Sequence, residues 1–326
     1  MNKQKKTSQK DIILPFQLDH SDIRGRVGSL DKTLSKILSQ HSYPLIVETL
    51  VTEAVLITAL LGQTISLKWK LSLQIRGDGP IKLIATDYFA PNKKNGSGKI
   101  RAFASFDKNK LIKDEKIPFN QLGKGYFAIL IDQGPNTDPY QGITPLTGGS
   151  LHKCAETYFA QSEQLPTRFA IAVGKLSTAR GKNTWKAGGI VIQKMPKNKN
   201  PYKETNNPGS LLSSGDLLND DESEDWNRIN FYLDTIDELE LIGLDSNQKN
   251  LLIKLFNDEK PRIFETRSIE FGCTCSPRKV QSTMSMYSAK DIEKMTTKEG
   301  IVTADCQFCG KQYKMNPNEL GFDAKK

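Results

Sequence analysis

Four of the five cysteines lie in two close pairs near the C-terminus. Cys273 and Cys275 are separated by one residue, and after 30 further residues Cys306 and Cys309 are separated by two. Two such pairs of thiols are typical of a tetrahedral site that binds a metal through four sulfurs. No histidine follows His152, so the sequence predicts cysteine ligands only. We expect one Zn²⁺ per chain, with an iron–sulfur cluster as the alternative.

These cysteines could serve a structural or a redox role. The segment that holds them, roughly 55 residues from Thr266 to Phe322, is too small to fold on a hydrophobic core alone. Zinc binding, worth about 10–16 kcal/mol in zinc-finger peptides, would supply most of its folding free energy. A purely structural zinc ribbon is therefore one interpretation. Each thiolate also has a second thiolate two or three residues away, which would trap a sulfenic acid formed by peroxide.

Length and composition exclude several classes of protein. The chain has 326 residues, of which 37% are hydrophobic and 25% charged, so we expect two or three folded domains rather than a disordered or fibrous chain. The longest apolar run, Leu45 to Leu61, contains Glu48 and Glu53, and we predict no membrane span and no membrane partner. Without a recognisable export signal, the expected location is cytoplasmic, where paired cysteines are more often metal ligands than structural disulfides.

The net charge of +9 is unevenly distributed. Residues 1–195 contain 28 Lys/Arg and 15 Asp/Glu, residues 196–225 contain 3 and 7, and residues 226–326 contain 15 of each. A zinc protein that binds nucleic acid should concentrate basic residues around its metal site. Because the cysteine-containing part is neutral, we predict no nucleic-acid partner, and a zinc-ribbon nucleic-acid-binding protein is kept as an alternative.

Motifs that would indicate an enzyme are missing from the sequence. There is no P-loop, no Gly-x-Gly-x-x-Gly and no convincing pair of catalytic carboxylates, so we predict that the chain is not an enzyme and has no catalytic residues. A thiol–disulfide oxidoreductase is the alternative, although its Cys-x-x-Cys should open a helix in a thioredoxin-like context. The fifth cysteine, Cys154, falls in a helical pattern and is expected to be a small buried residue.

We predict an α+β fold in which residues 1–195 form an N-terminal domain with a mixed α/β sheet. Apolar residues at helical spacing predict a first helix at 30–38. A second, largely buried helix is predicted from Pro44 to Leu61, with Gly62 as its C-cap. Alternating apolar residues then predict a hairpin around the turn from Gly77 to Pro80. The remaining predicted elements are strands at 99–106, 126–132, 169–173 and 188–192, and a helix at 150–161 capped by Ser150.

The rest of the chain divides into a linker and a small domain. Residues 196–262 are predicted to be a linker, flexible and then helical, and residues 263–326 a C-terminal Cys₄ zinc-binding domain. The Pro-, Asn- and Asp-rich composition of 196–225 cannot bury enough apolar surface to fold. From Trp226 onward helical spacing returns, and Asp245 or Ser246 is expected to cap a helix that ends at Phe256. These short amphipathic helices need a surface to pack against.

Several motifs together resemble one known family. The cysteines occur in Phe271-Gly-Cys-Thr-Cys-Ser276 and in Cys306-Gln-Phe-Cys-Gly310-Lys-Gln-Tyr313. Four N-terminal motifs occur in the family's order: Asp22-Ile-Arg-Gly25, Arg76-Gly-Asp-Gly-Pro80, Tyr140-Gln-Gly142 and Tyr158-Phe-Ala-Gln-Ser-Glu-Gln-Leu-Pro-Thr-Arg168. This combination resembles the redox-regulated bacterial chaperone family heat shock protein 33, or 33 kDa chaperonin, over nearly the whole chain. The basic tail, residues 91–98 and residues 196–225 depart from it.

The resemblance implies a cytoplasmic, ATP-independent holdase chaperone. In the reduced form all four cysteines bind zinc and the protein is largely inactive. Oxidation forms the disulfides Cys273–Cys275 and Cys306–Cys309 and releases zinc. The linker then unfolds, a homodimer forms, and the protein binds unfolded or misfolded client proteins. A constitutive chaperone with structural zinc is the alternative in which oxidation has no effect.

The apolar faces of the helical linker are the candidate client-binding residues. Under the scheme that the resemblance implies, they lose their packing surface once the zinc domain loses its metal. Ordinary core packing is the alternative role, and both roles are possible if this core is exposed only conditionally. The candidates are Ile229, Leu233, Leu251, Leu252 and Phe256.

Overall fold

The computed structural model describes residues 11–93, 96–177, 183–196, 220–243 and 246–322. The basic tail and residues 197–219 of the predicted linker lie outside the described residues. The strands are β1 (Ile12–Leu18), β2 (Ile23–Leu30), β3 (Lys70–Gly77), β4 (Ile81–Phe89), β5 (Gly98–Phe106), β6 (Gly125–Asp132), β7 (Tyr140–Pro145), β8 (Thr167–Ser177), β9 (Asn183–Lys194), β10 (Arg262–Ile263), β11 (Arg267–Phe271), β12 (Val302–Asp305) and β13 (Gln312–Met315).

Eight α-helices occur in the described part of the chain. They are α1 (Lys32–Leu38), α2 (Leu45–Thr64), α3 (Leu151–Tyr158), α4 (Asp220–Asp234), α5 (Glu238–Ile242), α6 (Gln248–Phe256), α7 (Pro277–Met284) and α8 (Ala289–Met295). Strands of the N-terminal part, short helices after residue 220 and a small C-terminal unit confirm the predicted α+β class.

One large sheet contains eleven of the strands. Its order is β7-β6-β3-β4-β5-β11-β1-β2-β9-β8, and β10 also pairs with β1. Neighbouring strands are antiparallel except β11, which runs parallel to β5 and antiparallel to β1. Strand β11 comes late in the chain, yet it joins the two halves of the sheet. The segment that begins at Cys273 therefore starts from the centre of the fold.

The main core forms where α2 packs on one face of the sheet. This helix is apolar around most of its circumference and contacts β2, β4, β5 and β9. By length and composition α2 could cross a membrane, alone among the described helices, but 78% of the relevant window is buried inside the protein. The predicted C-cap Gly62 is wrong, because α2 continues to Thr64. A Cβ at Gly62 would lie 2.3 Å from the Tyr88 ring, so this glycine permits close packing.

A second core lies on the opposite face, under α4, α5 and α6. Because successive residues of a strand point to opposite faces, Ile13 contributes to the main core while Leu14 and Phe16 contribute to the second. The strand residues of this second core are Leu14, Phe16, Leu18, Ile23, Val27, Ala172, Ile190 and Ile192. The helices of the predicted linker thus cover an apolar face of the N-terminal sheet.

Most predicted N-terminal elements are confirmed, and the missed strands have identifiable causes. The hairpin is β3–β4, and the four further predicted strands are β5, β6, β8 and β9. Strand β1 lacks an alternating pattern because it is buried on both faces. Strand β2 contains Gly25 and Gly28, and glycines make a strand hard to recognise in a sequence. Gly25 is needed for packing, because a Cβ there would lie 2.1 Å from the Phe16 ring. Strand β7 is missing from the predictions because its two buried positions, Gly142 and Thr144, carry no large apolar side chain.

Three helix boundaries differ from the predictions. Leu30 ends β2 and does not begin a helix, so α1 starts at Lys32. Ser150 caps α3 as predicted, accepting a hydrogen bond from the Lys153 amide, but the helix ends at Tyr158 and a π-helical turn follows. The acidic run from Asp220 to Asp225 belongs to α4 and not to the flexible part of the linker.

The predicted cap of the last linker helix is also wrong. Asp245 lies outside the described residues, and Ser246 precedes the cap. Asn247 takes this position, because its side-chain oxygen accepts hydrogen bonds from the amides of Lys249 and Asn250, at 3.0 and 3.1 Å. The helix itself, α6, ends at Phe256 as predicted.

Candidate metal centre

The first cysteine pair is held between the large sheet and a helix. Gly272 follows β11, and its amide donates a hydrogen bond of 3.1 Å to the carbonyl of Ile100 on β5. After Cys275, the Ser276 side chain caps α7 by accepting from the Lys279 amide, with Pro277 in the first turn. The backbone on both sides of Cys273 and Cys275 is therefore fixed.

The second pair lies in the turn of a small hairpin. Strands β12 and β13 pair antiparallel, with Asp305 opposite Gln312. The carbonyl of Cys306 accepts hydrogen bonds from the amides of Cys309, at 3.3 Å, and Gly310, at 2.8 Å. Gly310 has φ of +63°, a conformation that favours glycine. This turn directs both thiols to one side.

The four sulfurs meet at one point. All lie within 4.8 Å of one another, with Sγ–Sγ distances of 3.6 Å between Cys273 and Cys306 and 3.5 Å between Cys275 and Cys309. A Zn–S bond length near 2.3 Å implies an S–S edge of roughly 3.8 Å in a regular tetrahedron. The donor set and spacing therefore suit a tetrahedral metal ion. Within the described ranges, no other group of cysteine, histidine or acidic side chains has this arrangement.

The thiols have unequal pKa values. Burial disfavours the thiolate of Cys273, but hydrogen bonds from the Cys275 backbone and from Arg101 outweigh it and lower the pKa to about 7. Burial raises the pKa of Cys306, and it raises that of Cys309 to about 12. Thiols of this kind must lose protons to bind a metal. Cys154 is different, because it is fully buried beside the Thr147 carbonyl and burial raises its pKa to about 11, as expected for an unreactive residue.

Two side chains that the sequence did not predict contact the sulfurs. The Tyr313 hydroxyl donates to Cys275 Sγ at 3.0 Å, and Arg101 Nη1 donates to Cys273 Sγ at 3.4 Å. Tyr313 belongs to β13, four residues after Cys309, so a search of the local motif could have found it. Arg101 is 172 residues away from Cys273 in the chain and gives no local signal.

The five candidate client-binding residues come together in the second core. Ile229 and Leu233 lie on α4, and Leu251, Leu252 and Phe256 lie on α6. All are at most 6% exposed, and the Phe256 ring stacks on Phe16 of β1 at 5.7 Å between centroids. In this structure the five residues therefore have one of the two roles considered for them, which is core packing.

Polar contacts also hold the linker helices to the sheet domain. Buried Glu259 accepts hydrogen bonds from the Ser21 hydroxyl at 2.7 Å and from Arg228 of α4 at 2.8 and 3.1 Å. Arg168 of β8 pairs with Asp234 at the end of α4, at 2.6 Å. A buried carboxylate that loses its cationic partner is costly, so Glu259 stabilises the docked position of α4.

Comparison with known proteins places the chain in a family. The family described as Hsp33 protein matches residues 11–316. A 33 kDa chaperonin from Caulobacter vibrioides is 32% identical over 312 residues, covering 94% of this chain and 95% of that protein. The 33 kDa chaperonin of Salmonella typhimurium is 27% identical, covering 96% and 94%. The chain therefore belongs to the Hsp33 family of chaperones.

A solved structure supports the fold assignment. The crystal structure of the 33 kDa chaperonin, a heat shock protein 33 homolog, from Thermotoga maritima aligns with a TM-score of 0.72. The alignment covers 95% of this chain and 96% of that chain at 20% sequence identity. The two proteins thus share a fold across nearly their whole length.

Proposed function

We propose that this Hsp33-family protein is a redox-regulated, ATP-independent holdase of the cytoplasm. In the reduced state the four cysteines bind one Zn²⁺ and the linker helices α4–α6 cover the second core. Oxidation converts the cysteines to the disulfides Cys273–Cys275 and Cys306–Cys309, and zinc is lost. The linker helices then leave the sheet, and the exposed apolar surfaces bind unfolding clients.

The observation that carries this proposal is the arrangement of the second core. Its apolar residues come half from the sheet and half from α4–α6, so undocking exposes two complementary surfaces at once. After α6 the chain passes through β10 and β11 directly into Cys273. A loss of structure at the cysteines therefore acts on the segment that follows the linker helices.

The thiol chemistry balances with hydrogen peroxide as the oxidant. In each pair the two thiolates join in a disulfide and give up two electrons, and the peroxide takes up two protons and leaves as two water molecules. Bound zinc keeps the sulfurs in the deprotonated form, which is the reactive one. Two disulfides leave no thiolate to bind the ion.

The released surfaces suit unfolded proteins. Ile229, Leu233, Leu251, Leu252 and Phe256 would present aliphatic and aromatic side chains on short helices that had lost their packing partner. Such a surface recognises exposed apolar segments by area and not by sequence. We propose that a second copy of the oxidised chain also binds, giving the homodimer. Neither nucleic acid nor a membrane is a proposed partner.

The test measures zinc and client binding in the same samples. Wild-type protein is treated with peroxide at elevated temperature, zinc release is followed with a chromogenic chelator, and aggregation of a denatured client is followed by light scattering. We expect about one zinc per chain to be released, aggregation to be suppressed, and a reductant with zinc to reverse both effects. Equal suppression by the reduced, zinc-loaded protein would instead indicate a constitutive chaperone.

A further inference from the structure

Arg101 on β5 is the one side chain outside the C-terminal segment that hydrogen-bonds to a cysteine sulfur, among the described residues. Its Nη1 lies 3.4 Å from Cys273 Sγ. The guanidinium also stacks on the ring of Phe308, 3.9 Å from the centroid. Because Phe308 lies between Cys306 and Cys309, one arginine contacts Cys273 of the first pair and the turn that holds the second pair.

The N-terminal sheet holds Arg101 in this position from the other side. Asp87 of β4 lies directly opposite Arg101 in the strand register and accepts from its Nε at 2.8 Å and its Nη2 at 2.6 Å. Ser72 of β3 lies opposite Asp87 and donates to the same carboxylate at 2.5 Å. This row across three strands fixes the guanidinium, whose side chain is 15% exposed.

A second residue of β5 contributes to the same contact. Phe103 lies two positions after Arg101, on the same face of the strand, and its ring meets that of Phe308 edge-on at 6.3 Å. The Gly272 amide bonds to Ile100, the residue before Arg101. Three residues of β5, Ile100, Arg101 and Phe103, thus contact the segment that contains the cysteines.

We propose that Arg101 is the positioning residue that docks the metal centre on the N-terminal sheet and makes this docking depend on the redox state. The inference rests on the proposed function and names the contact through which its switch acts. A zinc ion with four thiolates carries two net negative charges, which attract the guanidinium at low exposure. Two disulfides and no zinc carry none, so the attraction is lost.

Oxidation also removes the aromatic half of the contact. The place of Phe308 depends on Cys306 and Cys309 converging with the first pair, and that convergence ends when zinc leaves. Arg101 keeps its partner Asp87 throughout, so release leaves no unpaired charge in the sheet. Separating the cysteine-containing segment from the sheet should therefore require little free energy in the oxidised state and more in the reduced state.

The test uses Arg101→Lys in the reduced, zinc-loaded, full-length protein. Lysine keeps a positive charge beside Asp87. Its single ammonium group cannot at the same time bond to Asp87, cover the Phe308 ring and donate to the Cys273 sulfur. Amide hydrogen exchange is followed at Gly272, whose bond crosses the interface, and at Gly310, whose bond to Cys306 lies inside the turn. We expect exchange at Gly272 to rise about tenfold, with Gly310 and the zinc content unchanged.

Two further variants keep the inference falsifiable. Phe308→Leu removes the ring but leaves the Arg101–Asp87 pair, and should raise Gly272 exchange about threefold. Arg262→Lys, which alters an exposed arginine paired with Asp19 at 2.9 Å, is the matched control and should change nothing. Unchanged exchange at Gly272 in both test variants, or loss of zinc from Arg101→Lys, would overturn the positioning role.

The result is separable from that of the peroxide experiment. Docking is measured without oxidant and without client, so it can succeed even if oxidation never activates the protein. Conversely, a wild-type protein that switches with peroxide while Arg101→Lys docks normally would sustain the proposed function and refute this inference.

Discussion

At the scale of single residues, the cysteine sulfurs are chemically inequivalent. The sulfur of Cys273 accepts a hydrogen bond from a guanidinium and that of Cys275 from a tyrosine hydroxyl, whereas those of Cys306 and Cys309 accept from backbone amides of Phe308, Cys309 and Lys311. Hydrogen bonds to the ligands of a metal site orient those ligands and tune the metal. The functional unit is therefore larger than the four residues of the sequence motif and includes Arg101 and Tyr313.

The first prediction concerns the second cysteine pair. Replacing Cys306 and Cys309 together by serine leaves two sulfur ligands, too few for a closed tetrahedral site, so zinc content should fall from one per chain to near zero. Atomic absorption of the purified protein gives the measurement. Cys154→Ala is the control, since Cys154 is buried away from the centre, and it should keep its zinc. A zinc-loaded double variant would mean that the ligands lie elsewhere.

At the scale of elements, helix α6 carries an aromatic contact between the linker and the sheet. Phe256 is fully buried against Phe16 and also meets Tyr232 of α4, while Ile253 on the same helix is 51% exposed. The two positions share a helix but differ in burial. They therefore separate an effect of docking from an effect of helix composition.

We accordingly predict that Phe256→Ala activates the protein without oxidation. Loss of a buried phenylalanine costs about 3–5 kcal/mol, here confined to the contact between linker and sheet. Hydrogen exchange in α4–α6 should rise at least tenfold, and the reduced, zinc-loaded variant should suppress client aggregation. Ile253→Ala should resemble wild type in both assays. An undocked variant that stays inactive would show that this core is not the client surface.

The start of α6 gives a separate stability prediction. Asn247→Ala removes the side-chain cap and should lower the free energy of unfolding of the linker helices by about 1 kcal/mol. Ser246→Ala, one residue earlier, removes no such bond and should be neutral. Urea denaturation followed by circular dichroism compares the two. The reverse ranking would place the cap at Ser246, one of the two positions that the sequence predicts.

At the scale of the whole molecule, strand β11 connects the parts. It bridges the two halves of the sheet and leads, after the single residue Gly272, to the first cysteine of the metal centre. The chain after α6 cannot reach the cysteines without passing through the sheet. The cysteines are therefore joined to the middle of the sheet and not to a peripheral appendage.

Zinc removal should consequently have a graded effect along the chain. In the reduced protein treated with a chelator, we expect amide protection to vanish in β12, β13 and α8, to weaken in α4–α6, and to persist in β3–β6. Mass-spectrometric hydrogen exchange before and after chelation provides the measurement. A C-terminal segment that stays as protected without zinc as with it would contradict both the switch and its coupling to the linker.

The sequence alone was sufficient for features that depend on local spacing. Cysteine pairs separated by one and two residues predicted the metal site, period-two and helical patterns predicted the hairpin β3–β4 and the helix ending at Phe256, and the motifs indicated the family. Metal ligation and amphipathic packing both depend on the spacing of a few neighbouring residues, so short sequence patterns are enough to predict them.

Only the tertiary structure decided what depends on distant contacts. It paired β11 with β1 and β5, placed the linker helices on the second face of the sheet, and brought Arg101 to Cys273 across 172 positions. For the same reason the sequence alone does not identify β1, which is buried on both faces, as a strand. It also suggests a helix C-cap at Gly62, whose role is to pack against Tyr88. Such contacts are set by the summed packing of the whole chain, which no local pattern records.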